Sequence, residues 1–524
     1  MSDVSVPGHP PVPAGAEERT GSDRASMYDV STRTDVHFLH KNAIGLMGVL
    51  FLTVTGAAPI SAMLFNTPIS VGFGNGVGTP AGFLFATVIL TIFSVGYATM
   101  AGKITAAGGF YSFISHGLGR ELGMGTAFAS VVAYSVFEAS LAGGFAYFAN
   151  LKLAQHGYHV RWFWLALFMV GLIAFLTYFD VRLSARLLGL ALIGEVIILT
   201  IMDVGIFAQG GHHVTAAAIN PINAFKGFPG GSGGLAAGGA GVGIFFAFWS
   251  WVGFEMAPNY AEESKDPKRI VPRSMYISVV GLGIFYVITS WAALSGYHSV
   301  NEAAKVAQTN SAEFFFIPTA DFIGGWARDI MSYLIITGSF ACGMAFHNTA
   351  ARYFYSLGRE RVLPTYLGRT HHRWRSPHLA TLTQSAIAAL IVLGFAAFAG
   401  TRDPASQAYL QLYGLMAVMG VIIILAVQAV VSVAIWNYFR TQHPDEQHWW
   451  KTMLAPAISF VAQGIVLYLL FKNLDFLGSG YHYANYLGPI DAVVFAVGLA
   501  GAFYWKLKDR ARYDAVGRLI NEGI

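Results

Sequence analysis

Apolar residues fall into twelve long runs separated by short polar segments, and the runs approach or exceed the length of about 20 residues that a helix needs to cross a bilayer. The pattern predicts membrane-spanning helices near residues 43–71, 80–103, 122–150, 162–180, 185–209, 239–263, 272–297, 328–357, 378–400, 407–439, 451–472 and 487–506. Two of these runs are poor helices in their middle. In the first, Gly56 adds backbone freedom, and Pro59 lacks an N–H and sets its ring against the carbonyl of Thr55. In the sixth, Gly253 weakens the ladder, Pro258 removes a donor a turn later, and Glu255 puts an acid into the apolar stretch. A backbone group freed inside lipid is costly unless it finds another partner, so such interruptions survive only where they line a cavity. Interrupted spans in corresponding positions of two five-helix halves are the arrangement in which membrane carriers place a binding site near the middle of the bilayer.

The polar remainder orients the array. Residues 1–36, rich in Pro, Gly, Ser and charge, predict a disordered tail. They lack the basic start, apolar centre and small-residue cleavage site of a signal peptide, so the first helix is expected in the mature protein. Residues 37–510 form the transmembrane unit, with helices 1–5 over about 43–209, 6–10 over about 239–439 and 11–12 over about 451–506; residues 511–524 form a C-terminal tail. All but seven of the 32 Lys and Arg lie in the tail, the even-numbered loops and the C-terminus; the exceptions are Lys152, Arg161, Lys226, Lys305, Arg328, Arg402 and Lys472. Because positive residues concentrate in cytoplasmic loops, both termini are expected in the cytoplasm of a protein of the cell membrane. Among the loops, residues 105–123 mix glycines with aromatics as a short interfacial or re-entrant helix would, 300–325 predict an outer amphipathic element, and the Gly-rich 227–243 gives the sixth helix slack.

Composition then narrows the chemistry. With 55% hydrophobic and 11% charged residues, the chain has too few charges to cover a soluble particle of 524 residues; its expected solvent is the lipid bilayer. The lone Cys342 excludes a disulfide framework or a cysteine metal cage, and the His212-His213 and His371-His372 pairs lack acidic or cysteine partners, so no metal is expected. The net charge of +4 is scattered over loops and is no nucleic-acid signal. The glycine run has no P-loop lysine, so no nucleotide or other cofactor is implied. No Ser/His/Asp or Cys/His set recurs on one membrane face, which argues against an enzyme.

Three segments carry a family likeness. Trp249-Ser-Trp-Val-Gly-Phe-Glu, followed by Glu262-Glu-Ser-Lys-Asp-Pro-Lys-Arg-Ile-Val-Pro-Arg, resembles the sixth-helix signature of the amino acid–polyamine–organocation superfamily. Ala107-Gly-Gly-Phe-Tyr-Ser-Phe-Ile and Arg352-Tyr-Phe-Tyr-Ser-Leu-Gly-Arg-Glu-Arg-Val-Leu-Pro are similar to two more of its motifs, and the likeness runs from about Lys41 to about Arg510. The resemblance implies an all-α, LeuT-like fold: a 5+5 inverted repeat with two helices appended, helices 1 and 6 broken at mid-membrane, and alternating access to one central site. It implies transport of an amino acid by proton-coupled symport or by exchange. An amine or polyamine importer of the same fold is the alternative, and a non-transporting sensor a more distant one.

In that fold the substrate sits between the two breaks. The backbone around Gly56, Ala57, Ala58 and Ser61 is the candidate carboxylate site, and the carbonyls of Phe248, Trp249 and Ser250, beside Gly253, the candidate ammonium site. The family carries a small-residue triplet in the first break where this chain has Ile60-Ser61-Ala62 beside a proline, which keeps the amine alternative open. Trp249 aligns with an aromatic that covers substrate in one member, and Tyr134 is expected to face the same site with its hydroxyl. Acids inside a membrane are costly and tend to be functional. Glu138, one turn beyond Tyr134, either pairs a second amine of the substrate or anchors a neighbouring helix. Glu195 falls where some relatives place a coupling lysine, and is expected to bind sodium with carbonyls of the first helix or to take up a proton. Glu255 is either a proton sensor or an ion-pair partner of the inner loop. Ser339 is a candidate ion ligand across from the first break, and Asp203, toward the outer end of its span, is expected to be solvated.

Overall fold

The computed structural model describes residue 39 and residues 41–105, 108–179, 181–228, 239–398 and 406–517. The expected tail over 1–36 lies outside these, as do the middle of the glycine run and the last seven residues. Among the described residues the fold is helical, and β-structure amounts to one isolated bridge between Ile44 and Ser264.

In chain order the main helices are α1 (Leu46–Ala57), α2 (Thr67–Phe73), α3 (Thr79–Ala101), α4 (Gly109–Leu118), α5 (Arg120–Gln155), α6 (Trp162–Thr177), α7 (Val181–Ala208), α8 (Ala240–Trp249) and α9 (Pro267–Ser295). They continue with α10 (Val300–Thr309), α11 (Phe316–Phe322), α12 (Gly325–Arg359), α13 (His378–Phe398), α14 (Met416–Thr441), α15 (Ala455–Lys472), α16 (Leu487–Lys508) and α17 (Arg510–Ala515). Eleven helical stretches of the described residues are long and apolar enough to cross a membrane. The fourth expected span differs: α6 is apolar but only 16 residues long. At 1.5 Å per residue that is about 24 Å, short of a hydrocarbon core of about 30 Å.

Burial separates the helices by role. Most of the stretches Leu46–Phe73, Arg120–Gln155, Ala240–Glu263 and Gln407–Thr441 is buried inside the protein, whereas His482–Lys508 and His378–Ala397 leave most of their apolar surface facing outward. With lipid as the solvent such an apolar exterior carries no penalty, and the helices buried on all sides form the centre. The most extensive helix pairing joins α5 to α12. The loop segments also take shape: α4 forms within 105–123, and α10 and α11 within 300–325. Asp203 departs from expectation, being 4% exposed and accepting a hydrogen bond from Thr289 Oγ1 at 2.7 Å, because α9 packs over this face of α7 and shuts out solvent.

Candidate functional site

The first interruption is built by Pro59. Helix α1 stops at Ala57, and Ala58 turns left-handed (φ 43°, ψ 78°), its N–H closing back onto the carbonyls of Val54 and Thr55. The chain then re-enters a short helical turn, passes through a π-helical turn over Ala62–Asn66 and continues as α2. Four groups around this break find partners from other helices. Gly56 O accepts from Cys342 Sγ at 3.3 Å, Ala57 O accepts from Tyr286 Oη at 3.0 Å, and Ile60 N–H donates to Glu195 Oε2 at 3.2 Å. Thr55 Oγ1 donates to Leu188 O at 3.3 Å. Glu195 thus sits at the N-terminus of the second half, where the partial positive charge of the helix end favours an anion.

The second interruption is a chain of tight turns. Helix α8 ends at Trp249; Trp251 N–H then returns to Phe248 O and Val252 N–H to Trp249 O. Gly253 has φ 126°, a conformation that suits glycine, and a 3-10 segment, Phe254–Glu263, follows with Pro258 inside it. Glu255 closes the turn itself: Oε2 accepts from Gly253 N–H at 2.8 Å, and Oε1 accepts from Tyr134 Oη at 3.1 Å. Tyr97 Oη donates to the Glu255 carbonyl.

The two interruptions touch. A Cβ at Gly253 would lie 2.4 Å from the carbonyl carbon of Gly56 and 2.5 Å from the nitrogen of Ala57, so the backbones meet with no side chain between them. Further along, Asn66 Nδ2 donates to Ser250 Oγ at 2.9 Å and joins the second half of one interrupted stretch to the first half of the other. Beside this contact stands an aromatic wall. Trp249, half-buried, stacks on Phe246 and Tyr413; Phe65 lies 4.4 Å from Tyr413, and Tyr409 and Tyr413 are parallel to within 3°. Phe65 and both tyrosines sit on π-helical turns (Ala62–Asn66 and Ser406–Leu415), which bring ring positions onto a face a regular helix would separate.

Three buried polar atoms around the first interruption lack partners: Ser61 Oγ, Asn66 Oδ1 and Glu195 Oε1. Buried polar atoms are nearly always paired, so each exception leaves room for a further partner. Two of the three only accept hydrogen bonds, and the third can. The set suits a cationic group.

Gly56, Ala57, Ala58, Gly253 and the turn from Phe248 to Ser250 therefore lie together, with Glu195 and Ser61 beside the first break and Tyr134 and Glu255 beside the second. The Ser339 hydroxyl donates to Ile335 O of its own helix at 2.8 Å, which leaves the oxygen's lone pairs for a cation. Glu138, fully buried, pairs with His347 Nδ1 at 2.9 Å and accepts from Gln384 Nε2 at 2.7 Å, while Ser135 Oγ holds the Gln384 amide at 2.6 Å. Its bonds join α5, α12 and α13, the anchoring arrangement rather than one reaching a substrate.

Several participants escaped sequence reasoning. Asn66, Cys342, Tyr286 and Tyr413 carry no motif, although an asparagine inside an apolar run was a usable signal. Asp491, in the last span, is 6% exposed with neither oxygen paired.

Helices of membrane-crossing length packed around two interrupted stretches define a multi-pass, all-helical membrane protein. Residues 44–496 match the amino acid permease family, and the chain belongs to it. It is 23% identical over 373 residues to the low-affinity putrescine importer PlaP of Escherichia coli K12, covering 67% of this chain and 75% of that one. Against the branched-chain amino acid permease BcaP of Bacillus subtilis 168 it is 23% identical over 366 residues (66% and 74%), and against a vacuolar cationic amino acid transporter of Arabidopsis thaliana 24% over 361 residues (64% and 57%). The family and these relatives are permeases, not enzymes.

Proposed function

We propose that the chain is a secondary transporter of the cell membrane, with both termini cytoplasmic, that moves an amino acid by alternating access in symport with a proton or by exchange. The observation that carries this reading is the meeting of the two interrupted stretches at Gly56 and Gly253, flanked by unpaired buried acceptors and an aromatic wall. The substrate ammonium is assigned to the acceptor cluster around Ser61 and Asn66. Trp249 forms one wall, and an indole face near an ammonium contributes about 0.5–2 kcal/mol. Accordingly Trp249→Ala should weaken binding of the transported substrate by about 2- to 30-fold without preventing membrane insertion. Titration of purified protein with that substrate checks this, and an unaltered dissociation constant rejects the lid role.

A second reading, an amine importer, is favoured by one detail. The Ile60 N–H, the donor best placed to greet a substrate carboxylate, is already given to Glu195. Uptake competition between amino acids and their decarboxylated amines, ornithine against putrescine and leucine against isoamylamine, separates the two. If only the amines compete, the amino acid assignment fails.

Coupling is assigned to Glu195. One of its oxygens is bonded to the interrupted helix and the other is unpaired, so a proton or sodium ion bound there changes the hold on Ile60. Coupling free energies are commonly 1–3 kcal/mol, so Glu195→Gln should cut gradient-driven accumulation by about 5- to 150-fold while exchange in proteoliposomes persists. Accumulation at the wild-type level would remove Glu195 from the mechanism.

A further inference from the structure

Residues 509–517, after the last span, do not trail away. Asp509 caps α17 by accepting from Arg512 N–H, Asp514 Oδ1 pairs with Arg120 Nη1 at 2.6 Å, and Arg512 Nε donates to the Arg361 carbonyl at 2.6 Å. Tyr513 lies under the guanidinium of Arg120, and Val516 is 1% exposed. Gly517, left-handed at φ 74°, fits against α4: a Cβ there would be 3.2 Å from Ser115 Cβ and 4.0 Å from Tyr111 Oη. Its N–H faces the carboxylate of Glu360, just past the end of α12, which also accepts from Tyr111 Oη. Residues 510–517 therefore bind three elements at once: α4, the start of α5 and the turn after α12.

What α4 covers gives this docking a consequence. Gly109 abuts Asn259 and Tyr353, Phe110 packs 5.3 Å from Tyr97, and Tyr97 reaches the Glu255 carbonyl, so α4 lies against the 3-10 half of the second interrupted stretch. That half cannot be uncovered while α4 is held to α12.

We propose that residues 510–517 are a latch: docked between α4 and the end of α12 they keep the 3-10 half of the interrupted helix covered, and their release accompanies opening of that face. The latch rests on the opening cycle of the proposed transporter, but its test does not need transport. Glu360 anchors the latch. Burial pushes its carboxyl up to about 7, and the groups facing it are Tyr111 from α4, Arg359 from α12, Glu262 from the 3-10 segment and the Gly517 N–H, which ties the docked residues to the carboxylate.

The chain supplies its own reporter. Cys342 is its single cysteine, buried with its thiol on Gly56 O at the first interruption, so alkylation requires an opening. The experiment compares rates of Cys342 alkylation by N-ethylmaleimide in proteoliposomes for the full-length protein, Asp514→Asn and Gly517→Pro. Asp514 is part-exposed and pairs with Arg120 and, within α17, with Arg510, whereas proline at 517 removes the N–H facing Glu360. Both variants should react about two- to fivefold faster than the parent at pH 6, the change expected from weakening part-exposed pairs. Equal rates in parent and variants overturn the latch. Acceleration in a protein that carries no substrate would support the latch and reject the transport reading.

Discussion

Gly253→Ala is expected to be the most damaging single-atom change in the protein. The new Cβ would sit 2.4 Å from the Gly56 carbonyl carbon and 2.5 Å from the Ala57 nitrogen, both main-chain atoms that have no rotamer by which to move away. Gly253 also has φ 126°, where an L side chain strains its own backbone by about 1–3 kcal/mol. Forcing atoms into a closed contact adds about 1–3 kcal/mol more, and here the neighbour is itself pinned, since Ala57 O is held by Tyr286 and Gly56 O by Cys342. Together these amount to about 2–6 kcal/mol, comparable with the whole stability of many domains. The expected outcome is a large loss of monodisperse protein and of thermal stability in detergent, with transport abolished in what remains. Gly281→Ala is the control, because a Cβ there meets nothing within 4 Å. Equal stability of the two variants would mean that the interruptions do not meet as described.

The difference between those two glycines shows where sequence reasoning stops. Gly56, Pro59, Gly253 and Pro258 break the local helical rule, and a local rule can be read from local residues; so can the runs of apolar residues that became the helices. Partners across the bundle cannot. Nothing in the run around Glu195 says that its oxygen will meet Ile60 N–H 135 positions away, and nothing near Glu138 says that His347 and Gln384 will claim it rather than a substrate. Asp203 shows the same limit from the other side: its place toward the end of a span suggested water, but the packing of α9 decided the matter. The apolar run continues through Tyr178 and Phe179 and so extends the expected span to 180, whereas helix α6 closes at Thr177.

Arg352 carries the second large effect. Its Nε and Nη2 lie 2.8 and 2.7 Å from Glu263 Oε2, Nη1 donates to Asn348 O at 2.8 Å, and the guanidinium stands 4.4 Å over the Tyr260 ring. The side chains are 2% and 3% exposed. Glu263 also ends the 3-10 segment, and its carbonyl accepts from Ile44 N–H, so the pair fastens α12 to the second interrupted stretch where the segment leading into α1 crosses it. Desolvating both charges offsets much of their attraction, but breaking a buried pair by removing the guanidinium takes away the charge and hydrogen bonds it gives the Glu263 carboxylate, which costs about 3–5 kcal/mol. Arg352→Met should therefore lower thermal stability sharply, and Arg352→Lys should recover only part of it, because an ammonium cannot reproduce the planar fork or its stacking on Tyr260. Arg352→Met combined with Glu263→Met should be more stable than Arg352→Met alone, since the buried carboxylate that the guanidinium compensated is gone. The neighbouring pair provides the scale: Arg359 and Glu262 lie 2.9 Å apart but are 15% and 21% exposed, and breaking this more hydrated pair should cost less. Thermal unfolding of the three variants, with Arg359→Gln as the comparison, measures the difference. If the double variant is no more stable than Arg352→Met, the buried pair does not fasten this end of the bundle, and the closed face depends on the apolar packing of α4 and the docked C-terminal segment.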